Sequence, residues 1–297
     1  RVLADSLAAE AASSAPPGGL FRDAARRLRA NRAARISALI LAAVTILVVF
    51  GPWLSPYAYD ATNWDAISEP PSLAEHHYFG TDPLGRDLFA RTLVGGRISL
   101  LVGVVATLVS LIIGVTWGAT AGYLGGRVAH VLLRIVDILY SLPFMFFVFL
   151  LMVLFGRHLV LIFLAIGAIN WLDMARIVRG QTLALKNREF VEAAEAMGAG
   201  RLRVIRRHIL PNLVGVVAVY ATLTVPQVIL VESFLSFLGL GVQEPMTSWG
   251  ALVNEGAEQM ESAPWMLIFP AAFLSVTLFC FNFLGDGLRD AADPYER

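Results

Sequence analysis

The sequence predicts an all-α membrane protein with six transmembrane helices, and three observations carry that reading. Of 297 residues, 57% are hydrophobic and only 15% are charged, against roughly 25% charged in ordinary soluble domains. The charges are clustered, so that six long apolar runs lie between them. The sign of the clustered charge also changes from one connecting segment to the next, as membrane topology requires.

Ile36 to Leu54 is charge-free for 19 residues, Ile98 to Gly126 for 29 and Ile138 to Gly156 for 19. Leu159 to Leu172 is a shorter run of 14, extendable to Val178, while His208 to Val231 and Ser262 to Gly285 give 24 each. A helix needs about 20 apolar residues to cross a ~30 Å hydrocarbon layer. Five runs suffice alone, and the fourth suffices if Asp173 and Arg176 sit at the membrane surface. The alternative, buried helices of a large soluble protein, fits runs of this length poorly.

Lys and Arg mark cytoplasmic flanks. Before the first span lie Arg22, Arg26, Arg27, Arg29, Arg32 and Arg35, opposed by Asp23 alone. Ser55 to Gly96 holds six acids and two arginines, whereas Arg176 to Arg207 holds eight basic residues. No Lys or Arg occurs from His208 to Leu288. The N-terminus, the 173–207 loop and the C-terminus are therefore expected in the cytoplasm, with the acidic 55–96 and 239–263 segments outside. Net charge is zero, and the basic residues follow topology without forming a separate patch, which argues against a nucleic-acid partner.

The remaining elements follow in order. Ala4 to Gly19, rich in Ala, Ser, Pro and Gly, is expected to be disordered. A cleaved signal peptide is not expected, because the first apolar run starts late and is long enough to span. Phe21 to Arg35 reads as a basic amphipathic helix lying on membrane lipid. The outer segment 55–83, with Pro56, Pro70, Pro71 and Pro83, should be irregular. His76-His77 lies there without further His or Cys nearby, so two solvated loop histidines are expected and no metal site. Gly114, Gly118 and Gly122 recur every four residues and share one helix face, where small residues admit a second helix closely. Pro143, Pro226 and Pro270 fall inside or at the ends of later spans and can kink them. Arg134 and Asp137, at i and i+3, are placed to pair. Glu232 ends the fifth apolar run on the outer side, close enough to the span end to be hydrated. Cys280, the only cysteine, excludes a disulfide within the chain and reads as a small core or lipid-facing residue.

One charged segment interrupts the apolar pattern. In REFVEAAEAMGAGRLRVIRRHILPN (188–212), Glu189 to Met197 is a good helix with acids early, and Gly198 and Gly200 bracket a natural stop. Arg201 to His208 resumes with basic and branched residues, and Pro211 suits the first turn of the fifth span. An ordinary solvated loop is the plain alternative.

Here the chain resembles a family. Glu192-Ala193-Ala194, three residues, Gly198, nine residues and His208-Ile209-Leu210-Pro211 are similar to the EAA loop of ABC-importer permease subunits. In that family the loop forms the coupling helix that docks into a cleft on the ATP-binding subunit. The general pattern has a branched apolar residue where this chain has His208, although RHILPN resembles the peptide-transport branch. FGTDPLGRDLFARTLVGGRISLLVG (79–103), WLDMARIVRGQTLALKNREFVEAA (171–194), ESFLSFLGLGVQEPMTSWG (232–250) and FNFLGDGLRDAADP (281–294) resemble the C-type permease of oligopeptide and dipeptide importers. The resemblance covers about 26–297.

The resemblance implies a type I ABC importer permease fold with a definite organisation. Residues 1–35 form the cytoplasmic tail and basic helix, and 36–97 the first transmembrane helix and outer segment. Residues 98–290 form the permease core, with five transmembrane helices and the coupling loop 173–207; 291–297 form the C-terminal tail. Glu192, Ala193, Ala194, Gly198, His208, Leu210 and Pro211 are implied to couple to the ATPase. Glu232, Phe234, Phe237, Leu240 and Trp249 are candidates for the translocation pathway or outer gate.

No catalytic residue, metal ligand or cofactor is assigned to this chain. A P-loop needs Gly-Lys-Ser/Thr, and the only lysine, Lys186, stands in Leu-Lys-Asn. ATP and Mg are thus expected on partner subunits. The implied partners are a B-type permease, two ABC ATPase subunits or one fused pair, and an extracytoplasmic substrate-binding protein, all at a bacterial inner membrane. The implied cargo is an oligopeptide or dipeptide, with nickel or a metal chelate as the alternative. A proton-coupled carrier would need a mid-membrane acid or His and no ATPase dock. A membrane enzyme would need a catalytic cluster that the sequence lacks.

Overall fold

The computed structural model describes residues 26–28, 30–156 and 159–292. The stretch 4–19, residues 21–25 and 29 of the expected basic helix and residues 293–297 of the C-terminal tail lie outside the described residues. Helix α1 (Arg32–Phe50) starts at Asn31, whose Oδ1 accepts from Ala34 N at 3.2 Å, so the expected helix through 35 breaks there. A single 3₁₀ turn (Gly51–Trp53) follows. The outer segment then runs without regular helix to Asp87, as its prolines dictate, with isolated bridges at Ser72–His77 and Thr81–Asp87.

Asp87 caps α2 (Leu88–Leu124), a 37-residue helix. Gly125, at φ +66°, turns the chain into α3 (Gly126–Ser141). Pro143 follows directly, and α4 (Phe144–Phe155) leaves at a sharp angle, 87° between Gly126–Ser141 and Phe146–Phe155. The residue before a proline is pushed out of the helical region, and Leu142 is extended at ψ 132°. Helix α5 (Leu159–Lys186) leads to the short α6 (Glu189–Ala196). Next come α7 (Arg201–Val204), one π turn (Ile205–Ile209) and α8 (Leu210–Phe237). Last are α9 (Trp249–Glu258) and α10 (Trp265–Ala292). Pro226 and Pro270 lie within α8 and α10 without ending them.

Among the described residues, four helical stretches are long and apolar enough to cross a membrane: Arg32–Trp53, Leu88–Leu124, Arg201–Phe237 and Trp265–Ala291. The bent pair α3–α4 makes a fifth if it is one span. Length and composition therefore support four or five crossings against the six expected. The run 159–172 falls in α5, which continues as helix well past Asp173 and Arg176.

Helix α2 is the hub, packing against α5, α8, α1 and α9. Its glycine face does what the spacing predicts. A Cβ on Gly114 would lie 2.6 Å from Met174 Cβ, one on Gly118 2.4 Å from the Ala175 carbonyl, and one on Gly122 2.7 Å from Thr182 Cβ. Each distance is below van der Waals contact, so α2 and α5 touch backbone to backbone along this face. Helices α1 and α10 pack together on another side, and α10 also covers α8 and α9.

Three local expectations fail. Asp137 pairs across to α5, accepting from Arg176 Nη2 at 2.8 Å, and not with Arg134. His77 is not solvated: it is 3% exposed, its Nδ1 lies 2.9 Å from Asp87 Oδ1, and its ring stacks on Tyr57. Glu232 is 0% exposed, where hydration was expected.

Candidate functional site

The segment 186–211 folds as a helix, a tight turn and a second helix that runs into α8. Arg188 is extended and starts α6, which carries Glu189 and Glu192 in its first turn, where unpaired backbone N–H groups favour negative charge. Val191 and Ala194 are buried, and Val191 joins a core with Ala119, Met174, Val204 and Leu213. Glu192, Ala193 and Met197 face outward, with Phe190 41% and Met197 82% exposed. Ala193 and Ala196 are exposed, whereas Ala194 is buried. The Glu192 carboxylate has no ion pair among the described residues.

Gly198 ends α6 at φ +83°. Its N–H donates to the Glu195 carbonyl at 2.9 Å, and the Ala199 N–H donates to the Ala194 carbonyl at 3.0 Å. These two bonds make a Schellman termination, which satisfies the last carbonyls of the helix through one left-handed residue. A Cβ on Gly198 would meet nothing within 4 Å in this chain, so backbone dihedral alone asks for glycine. Gly200 has an ordinary φ of −66° and starts α7.

Residues 201–209 are helical throughout, Arg201–Val204 as α-helix and Ile205–Ile209 as the π turn. The π turn before Leu210 has a physical reason in Pro211. A proline ring collides with the carbonyl four residues back and donates no hydrogen bond, and a wider turn relieves both. His208 sits half-buried in this turn, its ring 6.5 Å from that of Phe190. Leu210 packs on the same core as Val191, and Pro211 is exposed. Arg201, Arg203, Arg206 and Arg207 line an open groove beside Gly198.

Two contacts that sequence reasoning missed fix this segment to the spans. Tyr123, at the end of α2, donates from its hydroxyl to Glu195 Oε1 at 2.6 Å. Lys186 Nζ lies 5.6 Å from the centre of the same tyrosine ring. Tyr123 lies inside the charge-free run Ile98 to Gly126, where nothing in the sequence marks a charged partner so distant in the chain.

The outer candidates separate into two groups. Glu232 and Trp249 lie in a buried seam where α2, α8 and α9 meet. Glu232 accepts from Ser236 Oγ at 2.7 Å and Ser99 Oγ at 3.2 Å. Ser99 in turn accepts from Trp249 N at 3.1 Å, and Trp249 Nε1 donates to the Thr92 carbonyl at 2.9 Å. Phe234 and Phe237, by contrast, are about half exposed, at 49% and 47%. Leu240 has a local role. Gly239, at φ +74°, ends α8, and the Leu240 N–H bonds the Leu235 carbonyl at 2.9 Å while both leucines join one apolar cluster. That is the apolar contact which accompanies a Schellman end. The five candidates are therefore not brought together into one site.

Next to this seam lies an ion network that the sequence pattern did not reveal. Asp82 Oδ2 accepts from Arg86 Nε at 2.6 Å and from Arg91 Nη1. Arg91, 1% exposed, also clasps Glu255 with two bonds of 2.9 and 3.0 Å. Arg86 reaches Glu244 at 2.9 Å. Burial works against the Arg86 charge, but hydrogen bonds and attraction from Asp82 and Glu244 hold its pKa above the ordinary value. The network ties the outer segment and the start of α2 to α9 and the loop before it. Among the described residues no group of three or more His, Cys, Asp or Glu is placed to hold a metal ion.

Against this geometry, comparison with known proteins is decisive. Residues 114–297 match the family described as binding-protein-dependent transport system inner membrane component. The chain belongs to that family. Residues 19–71 match the N-terminal TM domain of oligopeptide transport permease C. The oligopeptide transport system permease protein OppC of Haemophilus influenzae is 58% identical over 94% of this chain and 89% of its own length. The Escherichia coli K12 protein of the same name is 57% identical over 94% and 92%. The dipeptide transport system permease protein DppC of Bacillus subtilis is 49% identical over 92% and 85%. Among solved structures, the inward-facing MetNI methionine ABC transporter aligns at a TM-score of 0.52 and 20% identity, covering 68% of this chain and 97% of that one. At that identity it bears on fold alone, and the fold is that of an ABC importer permease.

Proposed function

We propose that this chain is a permease subunit of an ATP-driven importer and forms half of the translocation pathway for oligopeptides or dipeptides. The observation that carries the reading is α6: a short helix beyond the spans, apolar at Phe190 and Met197, closed by Gly198 and bonded to α2 through Tyr123. Such an element is suited to receive a push from a separate protein and pass it to the bundle. The high identity to permeases named for oligopeptide and dipeptide transport supports the cargo.

On this reading the chain is not itself an enzyme. ATP and Mg bind two ABC ATPase subunits or a fused pair, which dock on residues 188–200. A B-type permease completes the pathway, and an extracytoplasmic binding protein delivers peptide. The chain sits in a bacterial inner membrane with both termini in the cytoplasm, an orientation supported by the basic 173–207 segment and the acidic outer loops. ATP-driven closure of the ATPases would tilt a two-state bundle between outward and inward openings.

The test is reconstitution of the complete complex in vesicles, with uptake of labelled tetra-alanine followed alongside ATP hydrolysis. Uptake that requires both ATP and binding protein is expected; hydrolysis without any peptide uptake would overturn the peptide assignment. Orientation is checked on a Cys280→Ser background. Glu258→Cys should react with an impermeant thiol reagent from outside, and Arg203→Cys should not.

A further inference from the structure

Two polar side chains stand uncovered on α8 at the depth of the hydrocarbon layer. The charge-free run 208–231 is centred on Val219-Tyr220. Gln227 lies about 11 Å outward from that centre at 1.5 Å per residue, inside the ~15 Å half-thickness of the layer. Tyr220 is 37% exposed, and Gln227 is exposed on the same face. Neither the Tyr220 hydroxyl nor the Gln227 amide has a hydrogen-bond partner among the described residues. Tyr220, Thr224, Gln227, Val231 and Phe234 follow one another at alternating steps of four and three, which sets them on one stripe of the helix. The opposite stripe, Val225, Ile229, Glu232 and Ser236, is buried against the rest of the chain.

Depth makes this exposure informative. Lipid tails offer no hydrogen bond, so a free amide or phenol facing them is costly. The uncovered faces of α1 and α4 obey that rule, with Leu39, Ile46, Phe149 and Val153 turned outward. Thr116, Asn170 and Thr224 obey it differently, since each donates to a carbonyl one turn back in its own helix. Tyr220 and Gln227 do neither, so their stripe faces water or protein and not lipid. A packed helix would need two matching polar groups to answer both, whereas water answers them unaided.

We propose that this stripe of α8 lines the pathway and that Gln227 and Tyr220 bind the backbone of the passing peptide. A side-chain amide carries an acceptor oxygen and an N–H donor group, the complement of a peptide unit, and so engages a peptide whatever its side chains. Tyr220 and Gln227 are about 10 Å apart along the helix axis. Three residues of extended peptide, at about 3.4 Å each, cover the same length. Val231 and Phe234 continue the stripe outward as apolar surface for the side chains between. This inference rests on the proposed importer function, which requires one uncovered face of the chain to border the pathway.

The test places single cysteines in the complete complex on a Cys280→Ser background, held in lipid nanodiscs so that a charged methanethiosulfonate reaches both faces. Tyr220→Cys and Gln227→Cys should react in the nucleotide-free or the ATP-bound state. The rate should be roughly tenfold that of Ile46→Cys on the apolar face of α1, because the reactive thiolate forms where water reaches it. Buried Ile229→Cys serves as the unreactive control. Reaction at neither position in either state, or none faster than at Ile46→Cys, would overturn the proposal, since a helix or lipid would then cover the stripe. Gln227→Leu in the assembled complex should lower uptake of tetra-alanine and of tetra-lysine several-fold and in the same proportion. Tyr220→Phe should do the same and covers the case in which Gln227→Leu disturbs assembly. Parental uptake of both peptides, or a loss confined to one, would overturn the backbone assignment. A parent complex that carries neither peptide contradicts the cargo reading, while the thiol reactions, which need no peptide, still decide whether the stripe borders water.

Discussion

Tyr123 and Glu195 are 72 positions apart in the chain and joined by a 2.6 Å hydrogen bond. The bond links the end of the hub helix α2 to the exposed helix α6. Tyr123 is 4% exposed and anchored among Val178, Val191 and Val204, so the hydroxyl reaches α6 from a fixed position. A force applied to α6 is therefore felt by α2 directly and by α5 through the chain.

Tyr123→Phe keeps the ring in its core and removes the bond. A hydrogen bond to a charged acceptor contributes about 1.5–3 kcal/mol, and the exposure of Glu195 puts this one at the low end. Assembly and basal ATP hydrolysis should persist while stimulation by loaded binding protein falls several-fold. Glu195→Gln, which retains an acceptor, should behave nearly as the parent. Full stimulation in Tyr123→Phe, measured on purified complex in vesicles, would remove Tyr123 from the coupling route.

Gly118 answers to space, and Gly198 to dihedral. A Cβ on Gly118 falls 2.4 Å from a backbone carbonyl of α5, which cannot swing aside as a side chain can. Overpacking typically costs about 1–3 kcal/mol. Gly118→Leu should lower the thermal unfolding temperature of the purified complex and separate α2 from α5. An unchanged transition would show that the two helices do not meet this closely.

Arg91 joins Asp82 on the outer segment to Glu255 on α9. Removing one partner of a buried ion pair costs about 3–5 kcal/mol because the other charges stay behind. Arg91→Met should loosen the outer segment and expose 55–87 to protease added from outside, with α6 and ATPase association unaffected. Parental protease resistance would mean that the Asp87 cap and His77–Asp87 contact hold the segment alone.

Much of the architecture was legible because the bilayer imposes it. The charge-free runs and the four-residue glycine spacing mark α1, α2, α8 and α10 and the face on which α5 lies. Gly198 was legible too, since few sequence features ask for a left-handed residue as plainly as a helix of Glu and Ala running into Gly-Ala-Gly. What stayed hidden was pairing across distance. Arg134 and Asp137 are neighbours on a helix, yet Asp137 finds Arg176 because α5 is packed tightly on α2 beside it. Glu232 looked hydrated because its neighbours in sequence end an apolar run. Its hydroxyl partner Ser99 comes from α2, 133 residues away. Leu240 and its glycine looked like a gate and also close a helix, a local requirement that a motif alone does not separate from function.

The central claim is that residues 188–200 transmit ATP hydrolysis to the pathway, and Gly198→Leu addresses it most directly. A side chain there must occupy a left-handed conformation, at about 1–2 kcal/mol, and projects into space that this chain leaves open for a partner. Neither effect reaches the spans. In reconstituted vesicles, with ATP hydrolysis and tetra-alanine uptake recorded on the same preparation, the account predicts that the two permeases still pair. ATPase association or ligand-stimulated hydrolysis is lost, and uptake is lost with it. Parental rates of both hydrolysis and uptake in the Gly198→Leu complex would contradict it.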